Sequence, residues 1–281
     1  MTATATAIGI LFIVASMAGI GLQVSLGELR EALRARSFLG RVLAANFLII
    51  PLVGVILARW VPMDSTSVSA FVLLACAAGG PSALQFTSKQ RAALAYAGST
   101  AFVLSLLAVF LSPLLMSLAL PTDTPLVVPY ARTFGIVLLL LVLPLGIGAV
   151  LRSMARPMAE RLTQPVTWLG TLAFFGFVGL TLAQRRAATG ALETQAMLAM
   201  LGFVVTCMAI GWLLGGPGRP TRRVLAATSS MRNVALCLAI ARYSFPGEAV
   251  DVPLVAFSAL MIPPNMLFFL FTLLRDRRTR S

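Results

Sequence analysis

The sequence predicts an all-α polytopic membrane protein: nine transmembrane helices forming two inverted repeats, with two discontinuous helices, spans 3 and 8, crossing each other. Three observations carry this reading. Of 281 residues, 59% are hydrophobic and only 11% charged, with a mean hydropathy of +0.94, where soluble domains carry roughly 25% charged residues. Nine apolar runs are long enough to cross a hydrocarbon layer about 30 Å thick. The basic residues alternate between the segments that join those runs.

Taken in order, the runs lie at about 4–24, 38–60, 67–88, 92–119, 128–151, 163–184, 194–215, 221–242 and 252–274. The first 27 residues carry no charged side chain. They read as a span entering from outside, since a signal peptide needs a basic start. Pro51, Pro113, Pro144 and Pro263-Pro264 fall inside spans and predict kinks. Span 3 is interrupted by Gly79-Gly80-Pro81-Ser82, and span 8 by a polar run from Thr228 to Asn233. Cys76, Cys207 and Cys237 all lie in apolar stretches without a pairing pattern and read as small core residues.

Charge gives the orientation. The net charge of +13 could suggest nucleic acid, but the arginines are confined to short joining segments, so no nucleic-acid partner is expected. Sixteen basic residues follow the odd-numbered spans: Arg30, Arg34, Arg36, Arg41; Lys89, Arg91; Arg152, Arg156, Arg161; Arg219, Arg222, Arg223; Arg275, Arg277, Arg278, Arg280. Five follow the even ones (Arg59, Arg132, Arg185, Arg186, Arg242), and Arg232 remains. This bias puts the N-terminus outside and the C-terminus in the cytoplasm, and it requires an odd number of spans.

Spans 3 and 8 are five apart and so run in opposite directions. Two interrupted helices at corresponding places of two halves suggest an inverted repeat, residues 1–119 facing 128–274, with the first half one helix short. In transporters such breaks meet near the midplane and form the substrate site. In span 3, Pro81 removes a donor and the glycines let the backbone leave helical geometry, for a plain kink or for a site. In span 8, Arg232 lies nine residues from Arg223 and ten from Arg242, near the centre of the bilayer. A charge there costs about 2.5–3.5 kcal/mol on insertion scales and usually serves a purpose. Three readings stand: snorkelling to an interface, a structural arginine bonded to carbonyls of a broken helix, or a cation that meets an anionic substrate group.

What is missing narrows the function. The chain has no histidine, and all nine acids fall in loops or at span ends. A buried proton relay, a metal centre or a hydrolytic site needs such groups within the membrane, so no enzyme and no cofactor is expected.

Three stretches resemble the bile acid:sodium symporter family, over nearly the whole chain. They are Met17-Ala18-Gly19-Ile20-Gly21-Leu22 with the amphipathic loop to Arg36, Cys76 to Ser82 with the next span to Pro113-Leu114-Leu115, and Met231-Arg232-Asn233-Val234-Ala235-Leu236. The resemblance implies a core of spans 2, 3, 4, 7, 8 and 9, a panel of spans 1, 5 and 6, and substrate bound between them by alternating access. It also implies substrate-binding roles for Arg232, Asn233, Ser229, Ser230, Gly80, Pro81 and Ser82. The departures concern sodium. The family's sodium-binding glutamate falls on Thr228 and its glutamine on Arg232, while in span 3 the family's serine maps onto Ser82 and its asparagine is lost at Ala83. A vestigial sodium site would comprise Thr228, Met231, Ser99 and Thr100.

The expected protein is therefore a secondary transporter of a small or amphipathic organic anion, a monomer in the lipid bilayer of a bacterial inner membrane, without the family's usual sodium coupling. Two alternatives stay open. One is a sodium-coupled symporter using neutral oxygens of Thr228, Ser229, Ser99 and Thr100. The other is a non-transporting sensor or scaffold subunit. Phe86, Tyr96, Phe174, Phe175 and Phe177 are apolar residues whose facing the sequence leaves open.

Overall fold

The computed structural model describes residues 3–79, 91–119, 135, 138–184, 193–244 and 250–278, and among these residues every regular element is a helix. Among the described residues, six stretches are long and apolar enough to cross a membrane: Thr4–Gln23, Arg36–Trp60, Ala97–Ala119, Thr194–Leu214, Arg219–Ala241 and Asp251–Arg275. Ser65–Cys76 and Leu138–Met154 are shorter apolar helices. The chain is a multi-pass membrane protein.

The first span is α1 (Ala3–Gln23). It is followed by the amphipathic α2 (Leu26–Arg34), then α3 (Arg36–Ala44) and α4 (Ile50–Trp60), which a π turn at Ala45–Ile49 joins into one rod. The same construction recurs where a π turn at Leu138–Val142 leads into α7 (Leu143–Met154). Each π turn ends two residues before a proline, Pro51 or Pro144. A proline cannot donate to the carbonyl four residues back, and its ring crowds that carbonyl, so the helix widens there. The irregularity expected at Pro51 and Pro144 takes this form, whereas Pro113 lies inside the continuous helix Arg91–Ala119 and Pro263-Pro264 fall in the first turn of the helix Ile262–Arg278, where no donor is lost.

Helix α5 (Ser65–Cys76) starts on Asp64, whose Oδ2 accepts from the Thr66 and Ser67 amides, both at 3.1 Å. Partial burial pulls the Asp64 carboxyl upward, but the bonds from Ser67 and Thr66 outweigh it and hold the group below its ordinary range. Next come α6 (Arg91–Ala119), then α7 and, after it, α8 (Arg156–Gln184). Arg152 and Arg156 both bond Glu160 Oε1 at the α7–α8 junction, at 3.2 and 3.0 Å. The chain ends with α9 (Thr194–Leu214), α10 (Arg219–Ser230), α11 (Val234–Ser244), α12 (Asp251–Leu260) and α13 (Ile262–Arg278).

These helices sort into two sets by what they pack on. Helix α1 lies along α8 and α7. Its backbone meets α7 directly: a Cβ on Gly21 would run into the Leu145 carbonyl, and one on Gly148 would stand 2.6 Å from Ala18 O. In the other set α9 packs on α10, α4 on α5, and both α5 and α10 on α6, while α12 touches α5, α9 and α11. Stacked rings join that set, Phe71 to Phe203 at 4.9 Å and Phe203 to Phe257 at 6.4 Å. The sets touch where α1 meets α11 and α6, and where α12 meets α8. Residues 223–241 are all buried, whereas Leu198, Val205 and Leu213 on α9 are exposed. So α10 and α11 sit at the centre, and α9 turns an apolar face to lipid.

Candidate functional site at the crossed helix breaks

Helix α5 stops at Cys76, and its last carbonyls need partners other than the next turn of helix. Each has one. Leu73 O accepts from Ala77 N at 3.0 Å; Leu74 O and Ala75 O accept from the Arg232 guanidinium. Cys76 O accepts from Ser112 Oγ at 2.8 Å, Ala77 O from Asn233 N at 3.1 Å, and Gly79 O from Ser105 Oγ at 2.8 Å. Gly79 has φ +81°, and a Cβ there would stand 2.7 Å from the Ser105 amide nitrogen. Only glycine fits a left-handed residue pressed onto α6 this closely. Gly80, Pro81 and Ser82 lie outside the described residues.

The second break is Met231–Asn233, between α10 and α11. Asn233 caps α11: its Oδ1 accepts from Leu236 N at 3.0 Å, while its own amide bridges to Ala77 across the crossing. Arg232 is 2% exposed. Its Nε donates to Leu74 O at 2.8 Å, Nη2 to Ala75 O at 2.6 Å, and Nη1 to Asn46 Oδ1 at 3.0 Å and to Ser229 O at 3.3 Å. Four of the five guanidinium hydrogens are thus directed at protein acceptors, three of these being carbonyls at helix C-termini. The ends of α5 and α10 each carry roughly half a negative charge, which one fixed cation offsets.

The other proposed site residues are drawn to the crossing but closed off. Ser229, Ser230 and Asn233 are each 0% exposed. Ser229 Oγ accepts from Asn46 Nδ2, and Ser230 Oγ donates to Asn265 Oδ1 at 2.7 Å. Thr228 Oγ1 turns back to Val224 O at 2.8 Å. Ser99 and Thr100 are buried on α6, which packs on α10, and Ser99 Oγ has no hydrogen-bond partner among the described residues. Asn46, Ser105, Ser112 and Asn265 escaped the sequence reading. A lone asparagine in an apolar stretch five residues before Pro51 was the available signal for Asn46.

Beside this crossing lies a cavity of about 220 Å³. One wall comes from α1 (Phe12, Ser16, Gly19, Ile20, Gln23) and α8 (Thr167, Gly170, Thr171, Phe174, Phe175). The facing wall comes from Met231, Arg232, Val234, Ala235, Ser258, Met261 and Ile262. It therefore opens between the two packing sets. Thr171 Oγ1 and Ser258 Oγ each donate to their own helix, to Thr167 O and Val255 O, so their lone pairs stay available. The apolar end is built on Phe12 and Phe174, whose rings are 5.1 Å apart, with Phe175 a further 5.5 Å from Phe174. Among the described residues the wall bears no acid, and Val234 and Ala235 bring the positive N-terminus of α11 to it.

Comparison with known proteins follows the same lines. The sequence model of the sodium bile acid symporter family matches residues 8–210. A curated relative, "Probable sodium/metabolite cotransporter BASS3, chloroplastic" of Arabidopsis thaliana, is 24% identical over 243 residues, covering 84% of this chain and 56% of that protein. The chain spans little more than half the length of this relative.

Proposed function

The chain belongs to the sodium bile acid symporter family, and from that premise we propose that it is a secondary transporter of a small organic anion that works without the family's sodium. In this reading nine spans form two inverted repeats. The α1, α7 and α8 set is the panel, and the remaining spans form the core. Substrate occupies the cavity between them, and relative movement of the two parts exposes it to either side. The membrane is a bacterial inner membrane, with the N-terminus outside, and the working unit is a monomer.

One observation carries the sodium-independent reading. The guanidinium of Arg232 takes the carbonyls of Leu74, Ala75 and Ser229, the kind of hard oxygen set a sodium ion needs, and holds them permanently. Its charge also repels a second cation. The anionic substrate is supported by a cavity wall without acids among the described residues and by the positive N-terminus of α11 that borders it. The competing reading, sodium coupling, here through neutral oxygens, draws support from the Arabidopsis relative, which is named a probable sodium/metabolite cotransporter. Uptake of organic anions into proteoliposomes, with a sodium gradient or with potassium alone, separates the two. Equal uptake is expected, and strong sodium stimulation would sink the proposal.

A further inference from the structure

Two guanidinium groups converge on one glycine turn at the junction of α9 and α10. Gly216 has φ +86°, and a Cβ on it would stand 2.6 Å from Arg41 Nη1. On the same residue Arg222 Nε donates to the carbonyl. Arg222 also lies over the Trp212 ring at 5.9 Å, and Trp212 meets Phe268 edge-on at 5.7 Å. Gly215 allows the tight return, since a Cβ there would collide with the Arg222 backbone. Arg41 is steadied from its own helix by Ser37, whose carbonyl accepts from Nε at 3.0 Å and whose Oγ accepts from Nη2 at 3.1 Å.

Among the described residues neither arginine has a carboxylate within ion-pair distance, whereas Arg152 and Arg156 both pair with Glu160. Two cations held against one residue repel each other, so the notch is set for an anion. Its surroundings indicate which kind. Leu213 beside Trp212 is 76% exposed, and Phe271 and Leu274, on the helix that carries Phe268, are 63% and 59% exposed. Arg223 Nη2 bonds Thr272 O at 3.3 Å, which ties that end of α13 to the same corner. The guanidiniums therefore sit at the rim of an exposed apolar surface, with a tryptophan at the boundary, as at a membrane–water interface. A phosphodiester suits arginine's planar fork, and acyl chains would cover the leucines and Phe271. An amine headgroup would carry its own cation into a notch already holding two.

We propose that Arg41 and Arg222, set by Gly215–Gly216 and flanked by Trp212, bind the headgroup phosphate of an anionic, amine-free phospholipid. The test reconstitutes the full chain into phosphatidylcholine nanodiscs containing increasing phosphatidylglycerol, and reads retained lipid by native mass spectrometry. Wild type is expected to retain phosphatidylglycerol preferentially, and the Arg41→Gln, Arg222→Gln double variant to lose roughly tenfold of that preference. Arg219→Gln removes an exposed charge from the same corner but not from the notch, and should leave the preference intact. Arg41→Lys with Arg222→Lys should retain part of it, which separates binding from misfolding. Equal retention in wild type and the glutamine variant overturns the proposal. So does an equal loss in Arg219→Gln, which would reduce the effect to general surface charge. Displacement of the lipid by millimolar inorganic phosphate would assign the notch to a soluble anion instead.

Discussion

At the scale of single residues, Arg232 is first a structural cation. Removing it leaves the buried Ala75 carbonyl without a donor, the Leu74 carbonyl with only a shared Ala77 amide at 3.3 Å, and the ends of two helices without a counter-charge. Each hydrogen bond from a charged group lost in such a place costs about 1.5–3 kcal/mol. Arg232→Gln is therefore expected to lower the unfolding midpoint in detergent markedly and to reduce uptake. A variant with wild-type stability and uptake would show that the crossing holds without it. Asn46→Ala isolates one strand of the network: it removes a neutral acceptor from a charged donor and should cost about 1.5–3 kcal/mol by the same measurement. The position of Arg232 was legible in the sequence, because a permanent charge in an apolar run stands out. Its partners were not. Asn46 lies 186 residues away, and main-chain carbonyls carry no sequence signature.

At the scale of elements, the breaks and the prolines were legible, since glycine, proline and runs of polar residues act on the local backbone. The residues that secure the breaks were not. Ser105 and Ser112 look like any hydroxyl on an apolar helix, and only the packing of α6 on α5 gives them carbonyls to bond. The cavity wall escaped for the same reason: Thr167 and Thr171 face it because α8 lies along α1, a pairing that local sequence does not encode. Gly79→Ala should destabilise the crossing, because alanine at positive φ is strained by about 1–2 kcal/mol and its methyl would meet the Ser105 amide. The start of α5 gives a prediction in pH. Asp64 has a folded carboxyl held below its unfolded value, so its stabilisation is complete above about pH 4 and disappears as pH falls through the lower folded value. Asp64→Ala should cost about 0.5–2 kcal/mol at neutral pH. The gap between the two unfolding curves should close only in acid. A gap unchanged at low pH would mean the carboxylate is not the cap.

At the scale of the whole molecule, orientation and span number can be tested together, because the native thiols are silent. Cys76, Cys207 and Cys237 are all free and buried, so an introduced cysteine is the reactive one in the intact protein. Pro62 is exposed just beyond α4, and Met158 is 54% exposed near the start of α8. The nine-span reading puts three crossings between them, so they lie on opposite faces. The bias of sixteen basic residues to five then assigns Pro62 to the outside. In intact bacterial cells a membrane-impermeant maleimide should label Pro62→Cys, and should label Met158→Cys only after the membrane is opened. Labelling of both from outside would mean an even number of crossings between them, which breaks the alternation on which the inverted repeat depends. The reverse pattern would keep the span count and invert the orientation, placing the basic loops and the Arg41–Arg222 notch on the outer face.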